Sequence, residues 1–179
     1  GTHPIKYVFT TELGCKDSAT QNITVSLAAT LSISPVPALC SDAAPVTLVA
    51  NVQGGVFTGP GVSEGSFNPA VAGVGSHVIG YSLPGNTCSV PATLTVTVNP
   101  APTGFSAGDD VEGIFGRSAT ITGSGPAEYS YLWSPASFLN SATNLVTVST
   151  ATETTSYTLT ATNSFGCSAT DEMTLTVSR

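Results

Sequence analysis

The four cysteines are the side chains best suited to covalent chemistry, and three of them recur at one spacing. Cys15, Cys88 and Cys167 each precede a valine by ten residues, whereas Cys40 stands outside this pattern. Cysteines in small exported domains form disulfides in oxidising compartments. The expected chemistry is therefore cross-linking of the chain, in an extracellular setting.

Four cysteines allow three pairings, and we expect a disulfide between Cys40 and Cys88. Cys40 opens a middle segment and Cys88 precedes the last strand of that segment, so both would lie at equivalent ends of one sandwich. Closing this loop would stabilise the fold by about 4 kcal/mol through the unfolded state. The same offset gives Cys15 and Cys167 no partner, so both are expected to be free thiols. The alternatives are four small buried apolar side chains and, less favoured, a zinc site.

The acidic side chains form one notable cluster, Asp109, Asp110 and Glu112, out of eleven acids in the sequence. Carboxylates at a domain junction could hold Ca²⁺, which takes six to eight oxygen ligands. No EF-hand spacing is present, and the alternative is a solvated turn that protects a strand edge. No other cofactor is expected.

Catalytic motifs are missing from the sequence. No pair of carboxylates suggests glycoside hydrolysis, no Gly-x-Ser-x-Gly elbow is present, and Gly59-Pro60-Gly61 lacks the Lys-Ser/Thr of a phosphate loop. His3 and His77 occupy one repeat position, which favours a structural or surface role. The sequence therefore predicts a protein that is not an enzyme.

A repeated ending organises the chain. Gly1–Tyr7 (GTHPIKY) returns as Gly75–Tyr81 (GSHVIGY), and each cysteine of the regular set is followed by a Thr-rich run such as Ile23-Thr24-Val25. The two copies begin at Gly1 and Gly75, and a repeat at this spacing indicates tandem modules. The predicted units are the last two strands of a truncated repeat (1–27), a full domain (28–99), a stiff proline linker (100–102) and a second full domain (103–179).

The elements that carry these residues are predicted to be strands. Short stretches with alternating β-branched or aromatic residues recur, and turn signals separate them at intervals typical of a sandwich. The fold class is therefore all-β, with tandem immunoglobulin-like antiparallel β-sandwiches. In such a fold Trp133 packs between the sheets. The alternative is that Tyr129, Tyr131 and Trp133 form an exposed aromatic row that binds a glycan.

The composition excludes several functions. Charged residues make up 8% of the chain, and the net charge is −7 with four basic residues, which is too few to neutralise nucleic acid or an anionic membrane surface. No apolar stretch is long enough to span a bilayer. The hydrophobic content of 41% is too high for a disordered chain.

Several segments resemble repeats of one kind of protein. Residues 52–62 (VQGGVFTGPGV) and 67–81 (FNPAVAGVGSHVIGY) are similar to Ig-like repeats of giant Bacteroidetes surface proteins, including the gliding-motility adhesins exported by type IX secretion. Residues 106–177 resemble the PKD-like repeat of the same proteins. The motifs that carry this second likeness are AGDD (107–110), YLWSP (131–135), TTSYTLT (154–160) and FGC (165–167).

The second segment departs from this family at two places. Many relatives have a cysteine near the position of Phe115, and the acidic, Gly-rich turn of the full PKD signature is missing after Trp133. Asp17-Ser18-Ala19 resembles the O-glycosylation pattern of Bacteroidetes, which makes Ser18 a candidate for modification.

The resemblance implies a stalk or spacer module of a cell-surface adhesin, located outside the cell. Its partners would be neighbouring repeats of the same polypeptide, and surface glycans or other cell-surface proteins. One alternative is a carbohydrate-binding module appended to a secreted enzyme. Another concerns residues 1–27, which could pair with a strand of another chain because a lone two-stranded piece is marginal in water.

Overall fold

The computed structural model describes residues 1–25, 28, 30–85 and 88–179, and these residues are almost entirely in strands and turns. The predicted boundary between residues 27 and 28 falls beside residues 26 and 27, which lie outside the described part. The one helix among the described residues is a single turn, α1 (Pro69–Ala72), which Asn68 caps by accepting a hydrogen bond from the N–H of Ala70. No helix in the described part of the chain is long and apolar enough to cross a membrane.

The chain begins with an antiparallel hairpin of β1 (Thr2–Thr10) and β2 (Lys16–Thr24). Tyr7 pairs with Ala19 and Ile5 with Gln21 in its ladder. Every residue of the two strands is exposed to solvent. Among the described residues, therefore, no second sheet packs against either face of this hairpin.

The next strands form a unit that we call the first sandwich. Its larger sheet has the order β3-β9-β8-β5 and its smaller sheet the order β4-β7-β6. The strand bounds are β3 (Leu39–Cys40), β4 (Val46–Thr47), β5 (Val56–Thr58), β6 (Val62–Ser63), β7 (Ser66–Phe67), β8 (Gly75–Ser82) and β9 (Ala92–Asn99).

The inner faces of these two sheets bury one apolar core. Ile79 and Val96 come from the larger sheet, Phe67 comes from the smaller one, and Leu48 follows β4. The strands alternate inward apolar residues with outward Thr and Ser, as in the burial pattern of β9, because successive side chains of a strand point to opposite faces.

A tyrosine closes the end of the first sandwich. The Tyr81 hydroxyl donates to the Val52 carbonyl and accepts from the N–H of Gly55 at 2.8 Å. Gly55 is required here because a Cβ atom would collide with the Tyr81 ring. Phe57 packs against the same ring with a centroid distance of 4.5 Å. The glycine turn is thus fixed by one aromatic side chain.

The remaining strands form a second sandwich with its own core. Its sheets have the orders β10-β15-β14-β12 and β11-β13. The strand bounds are β10 (Val111–Ile114), β11 (Ala119–Thr122), β12 (Ser130–Ser134), β13 (Val146–Ser149), β14 (Thr155–Thr162) and β15 (Ser168–Ser178).

Trp133 fills the centre of the second sandwich. It is 1% exposed, and its indole N–H donates to the Asn144 carbonyl at 2.9 Å. The hydroxyls of Tyr157 and Ser149 lie 2.8 Å apart in the same core. The polar tips of these large side chains are therefore satisfied internally, as burial requires.

Both sandwiches are immunoglobulin-like, which confirms the predicted fold class. In each, a first short strand runs parallel to the last strand. The last strand pairs on its other side with the strand that precedes it, and that strand pairs in turn with the third. The remaining strands form the opposing sheet. The two parallel pairs, β3 with β9 and β10 with β15, are the departure from a purely antiparallel sandwich.

Truncation of Trp133 is predicted to destabilise the second sandwich severely. Trp133→Ala should lower its free energy of unfolding by about 3 to 5 kcal/mol, because a large buried side chain leaves a cavity. Leu132→Ala, on the exposed face of the same strand, should change it by less than about 0.5 kcal/mol. Hydrogen exchange of the β14 amides in urea measures both variants, and equal losses would contradict this placement of the core.

Candidate functional site

The feature with a clear functional consequence is the junction between the two sandwiches, where a disulfide joins Cys40 to Cys167. The Cα atoms are 5.7 Å apart, and the two cysteines are separated by 127 positions in sequence. This distance is ordinary for a disulfide. The bond links the first sandwich to the second.

Cys40 reaches the junction because β3 runs parallel to β9. Leu39 pairs with Val98 and Cys40 with Asn99, so Cys40 lies beside the carboxyl end of the last strand. The chain leaves the sandwich at that point, through Pro100. Ser41 strengthens this corner: its N–H donates to the Asn99 carbonyl at 2.8 Å, and its hydroxyl accepts from the N–H of Ala101 at 3.0 Å.

Cys167 reaches the junction at the turn between β14 and β15. The Asn163 carboxamide oxygen accepts hydrogen bonds from the N–H groups of Phe165 and Cys167, at 3.0 and 3.1 Å. Gly166 adopts a φ of 81°, a conformation that suits glycine. This arrangement holds the turn in one shape and presents a buried Cys167 side chain to Cys40.

The linker is held by both sandwiches. The side-chain N–H of Asn163 donates to the Pro100 carbonyl at 2.7 Å, and Ser41 holds Ala101 from the other side. Pro102 is buried. The peptide linker, the disulfide and these hydrogen bonds therefore meet at one place.

The predicted Cys40–Cys88 disulfide is wrong, and so is the prediction that Cys167 is a free thiol. Cys88 follows β8 and precedes Ala92, the first residue of β9, whereas Cys40 lies beside Asn99, the last one. An eight-residue strand separates these ends by about 25 Å. The prediction placed both cysteines at one end because the direction of a two-residue strand cannot be read from sequence. Cys15 is an exposed free cysteine.

A signal for the true pairing was present in the sequence. Cys15, Cys88 and Cys167 share one repeat position, so Cys40 is the one cysteine of a different kind. A disulfide between different repeat positions can join neighbouring modules as well as close one module. The predicted Cys40–Cys88 pairing assumed closure of one module.

The acidic candidates for calcium binding do not assemble into a site. In the described residues, no group of three or more His, Cys, Asp and Glu side chains is arranged to hold a metal. The Asp110 carboxylate instead accepts the N–H of Thr174 at 2.7 Å, just before β10 begins. Asp109 and Glu112 are exposed.

The aromatic candidates for glycan binding do not form an exposed row. Trp133 lies in the core, and Tyr131 packs against that core while its hydroxyl donates to the Pro126 carbonyl at 2.7 Å. Burial raises the pKa of Tyr131, with smaller contributions from Glu128 and Tyr129. The Tyr129 ring lies 6.5 Å from the Tyr131 ring. These side chains therefore support the sandwich end.

The remaining candidates lie at the surface or in structural contacts. Ser18 is exposed on β2, and its N–H donates to the Asp17 carboxylate at 2.8 Å; its glycosylation stays a prediction. His77 makes a hydrogen bond through Nε2 with the Gly73 carbonyl at 2.8 Å. The repeat-equivalent His3 is exposed.

Sequence reasoning missed Asp171, which anchors the start of the second sandwich. One carboxylate oxygen accepts from the Ser106 hydroxyl at 3.0 Å and from the N–H of Ala107 at 2.8 Å. The Ala107 N–H, followed by the Ser106 hydroxyl, holds the pKa of Asp171 below its usual value, against an opposing effect of burial. No motif marks this residue, because its partners lie more than sixty positions away.

Comparisons with known proteins find remote structural likeness. No family model matches the sequence, and no curated protein matches it. A three-domain fragment of titin (I67–I69) is 13% identical with a TM-score of 0.39, and the alignment covers 99% of this chain and 75% of the fragment. Immunoglobulin domains 1–4 of Sidekick-1 are 14% identical with a TM-score of 0.35, covering 94% of this chain and 56% of that one.

A third similar structure is the protein SGBP-B of a Bacteroides ovatus mixed-linkage glucan utilization locus, in complex with a heptasaccharide. It is 18% identical with a TM-score of 0.28, and the alignment covers 99% of this chain and 53% of that protein. At such TM-scores these similarities carry no functional argument. The immunoglobulin-like assignment stands on the strand order of the two sandwiches.

A tryptic digest without reductant is predicted to keep two large peptides joined. The sequence has Lys6, Lys16 and Arg117 as internal cleavage sites, so Cys40 falls in peptide 17–117 and Cys167 in peptide 118–179. A Cys40–Cys167 bond links these peptides, and Cys88→Ser should leave them linked. Mass spectrometry showing separate peptides, or linkage lost in that variant, would contradict the assignment.

Acid is predicted to loosen the start of the second sandwich through Asp171. The pKa of Asp171 in the folded protein is lowered from an ordinary 3.8. The ionised carboxylate therefore stabilises the fold fully when the pH is above 3.8, and this stabilisation is lost as the pH falls through the folded pKa. From about pH 5 to about pH 2 the wild type should therefore lose stability more steeply than Asp171→Asn. Urea denaturation at each pH measures this, and Glu172→Gln, on the exposed neighbouring position, should keep the wild-type slope.

Proposed function

We propose that this chain is a non-catalytic tandem module of an extracellular surface adhesin, which acts as a stalk or spacer. The observation that carries the proposal is the double attachment between the sandwiches: a peptide linker through Pro100 and a disulfide from Cys40 to Cys167. A second covalent connection at one corner restricts twisting and bending about the linker. Resistance to such motions is what a projecting stalk requires.

Separate cores explain why this joint needs a covalent staple. Among the residues that the structure describes, the apolar clusters of the two sandwiches have no member in common. Modules joined by a linker alone are expected to move relative to one another. The disulfide substitutes for an apolar interface and favours an oxidising, extracellular location.

The kind of parent protein follows from the sequence resemblance. We propose a large Bacteroidetes surface protein of the gliding-adhesin type, exported by type IX secretion, with residues 1–27, 28–99 and 103–179 as successive modules around the 100–102 linker. The last module is proposed to be PKD-like. Its partners are then the neighbouring modules of the same polypeptide.

The carbohydrate-binding alternative gains no support from the aromatic residues selected for it. A glycan platform needs exposed, roughly coplanar rings, whereas Trp133 is in the core and the planes of Tyr129 and Tyr131 are inclined by 51°. The stalk role is therefore the function that the described residues support best.

Loss of the disulfide is predicted to uncouple the two sandwiches. In the oxidised full chain, residual dipolar couplings from both sandwiches should fit one alignment tensor, because the joint is stiff. In Cys40→Ser the two sandwiches should require different tensors, while each keeps its own fold. Cys15→Ser is the matched control, since it removes a cysteine outside the junction and should behave as wild type. One shared tensor in Cys40→Ser would argue against a stapled stalk.

A further inference from the structure

The β1–β2 hairpin has the same pairing register as the central strand pair of the first sandwich. Tyr7 pairs with Ala19 and Thr2 with Thr24, as Tyr81 pairs with Ala92 and Ser76 with Thr97. Shifting β1 by 74 positions and β2 by 73 superimposes one ladder on the other. Because register decides which side chains share a face, the two hairpins have equivalent faces.

The hairpin also matches the central strand pair of the second sandwich, at its turn. Thr11 donates its N–H to the Cys15 carbonyl at 2.8 Å, and the Gly14 N–H donates to Thr11 at 2.9 Å. Asn163, Gly166 and Cys167 make the same two bonds, each at 3.0 Å. Gly14 and Gly166 have φ values of 83° and 81°. The ladder and the turn thus give independent evidence of equivalence.

One face of the hairpin carries most of its large apolar side chains. We call it the inner face; Ile5, Tyr7, Phe9 and Ile23 are its large apolar members, and all are about half exposed or more. The same face also carries His3, Asp17, Ala19 and Gln21. At the equivalent positions of the first sandwich, Ile79 and Val96 are 0% exposed and Tyr81 is 3% exposed. The opposite face is polar apart from Pro4 and Val8, and it carries the following residues: Thr2, Lys6, Thr10, Lys16, Ser18, Thr20, Asn22 and Thr24.

We propose that the inner face is a docking surface for an incomplete immunoglobulin-like half-sandwich, which the hairpin completes. The chain itself shows the chemistry of that occupant. Phe67 and Leu48, from β7 and the residue after β4, cover the equivalent strands β8 and β9. The occupant is therefore a small sheet with aliphatic and aromatic inward side chains, preceded by a short strand that pairs in parallel with β2.

A half-sandwich fits this face better than a flat or polar partner does. In both complete sandwiches the central strand pair has the smaller sheet against its inner face and a parallel strand along its last member. Among the described residues, the hairpin has neither addition, but it keeps large apolar side chains at Ile5, Tyr7 and Ile23, the positions that these additions cover. An isolated two-stranded hairpin is marginal in water, so completion would also stabilise it. This inference does not depend on the stalk role.

The test supplies the half-sandwich in cis. A copy of residues 30–74, carrying Cys40→Ser, is fused ahead of Gly1 of the full chain, because Gly1 is the register equivalent of Gly75. The amides of β1 and β2 should then exchange more slowly, by roughly two orders of magnitude or more. A second fusion places residues 103–154 ahead of His3, the equivalent of Thr155. The same protection is expected there.

Two variants separate docking from general stabilisation. Ile5→Asp in either fusion should abolish the protection, whereas Val8→Asp, on the opposite face, should leave it. In the first fusion, fluorescence of Trp133, the one tryptophan of the original chain, checks that the second sandwich stays folded. In the second fusion, which carries a second copy of Trp133, slow exchange of the β14 amides makes this check. Unprotected hairpin amides in both fusions would overturn the proposal. So would concentration-dependent protection in the unfused chain that Ile5→Asp prevents, since the occupant would then be a second copy.

Discussion

Burial of one face of a long antiparallel hairpin is the constraint on which the rest of this structure depends. Each larger sheet is centred on such a hairpin, β8–β9 or β14–β15. Alternating apolar side chains make its inner face unfavourable in water, and the smaller sheet removes that face from solvent. The short strands β4, β6 and β7 contribute few ladder bonds of their own, so their value lies in covering the hairpin. The sandwich is the consequence of this need.

The same hairpins also create the joint. The turn that closes β14–β15 lies at the end of the second sandwich where the chain enters from the linker, and it carries both Asn163 and Cys167. On the other side, the parallel β3–β9 pair brings Cys40 to the point where the chain leaves. One strand pair therefore serves two purposes, since its face builds a core and its turn meets the neighbouring module.

Sequence predicted those parts of the structure that repeat at short range. Period-two alternation identified the strands around Val96 and Tyr157, and the recurring Gly-x-His ending located equivalent hairpins. Trp133 was correctly expected between the sheets. The pairing of Cys40 was not predictable in the same way, because it depends on the direction of a two-residue strand and on contacts across 127 positions. Asp171 was missed for a related reason, since its partners are backbone and hydroxyl groups that carry no motif.

The disulfide lies at the junction because each sandwich is already stabilised by its own buried core. Trp133, Tyr157 and Phe67 give the sandwiches fully buried cores, and a bond within either one would add stability to a unit that packs well. In the described part of the chain, the junction outside the disulfide is held by hydrogen bonds to the linker, from Asn163 to the Pro100 carbonyl and from the Ala101 N–H to Ser41. Hydrogen bonds of this kind each contribute about 1 kcal/mol, which is too little to fix the orientation of two modules. A covalent bond between Cys40 and Cys167 has its largest effect at that point.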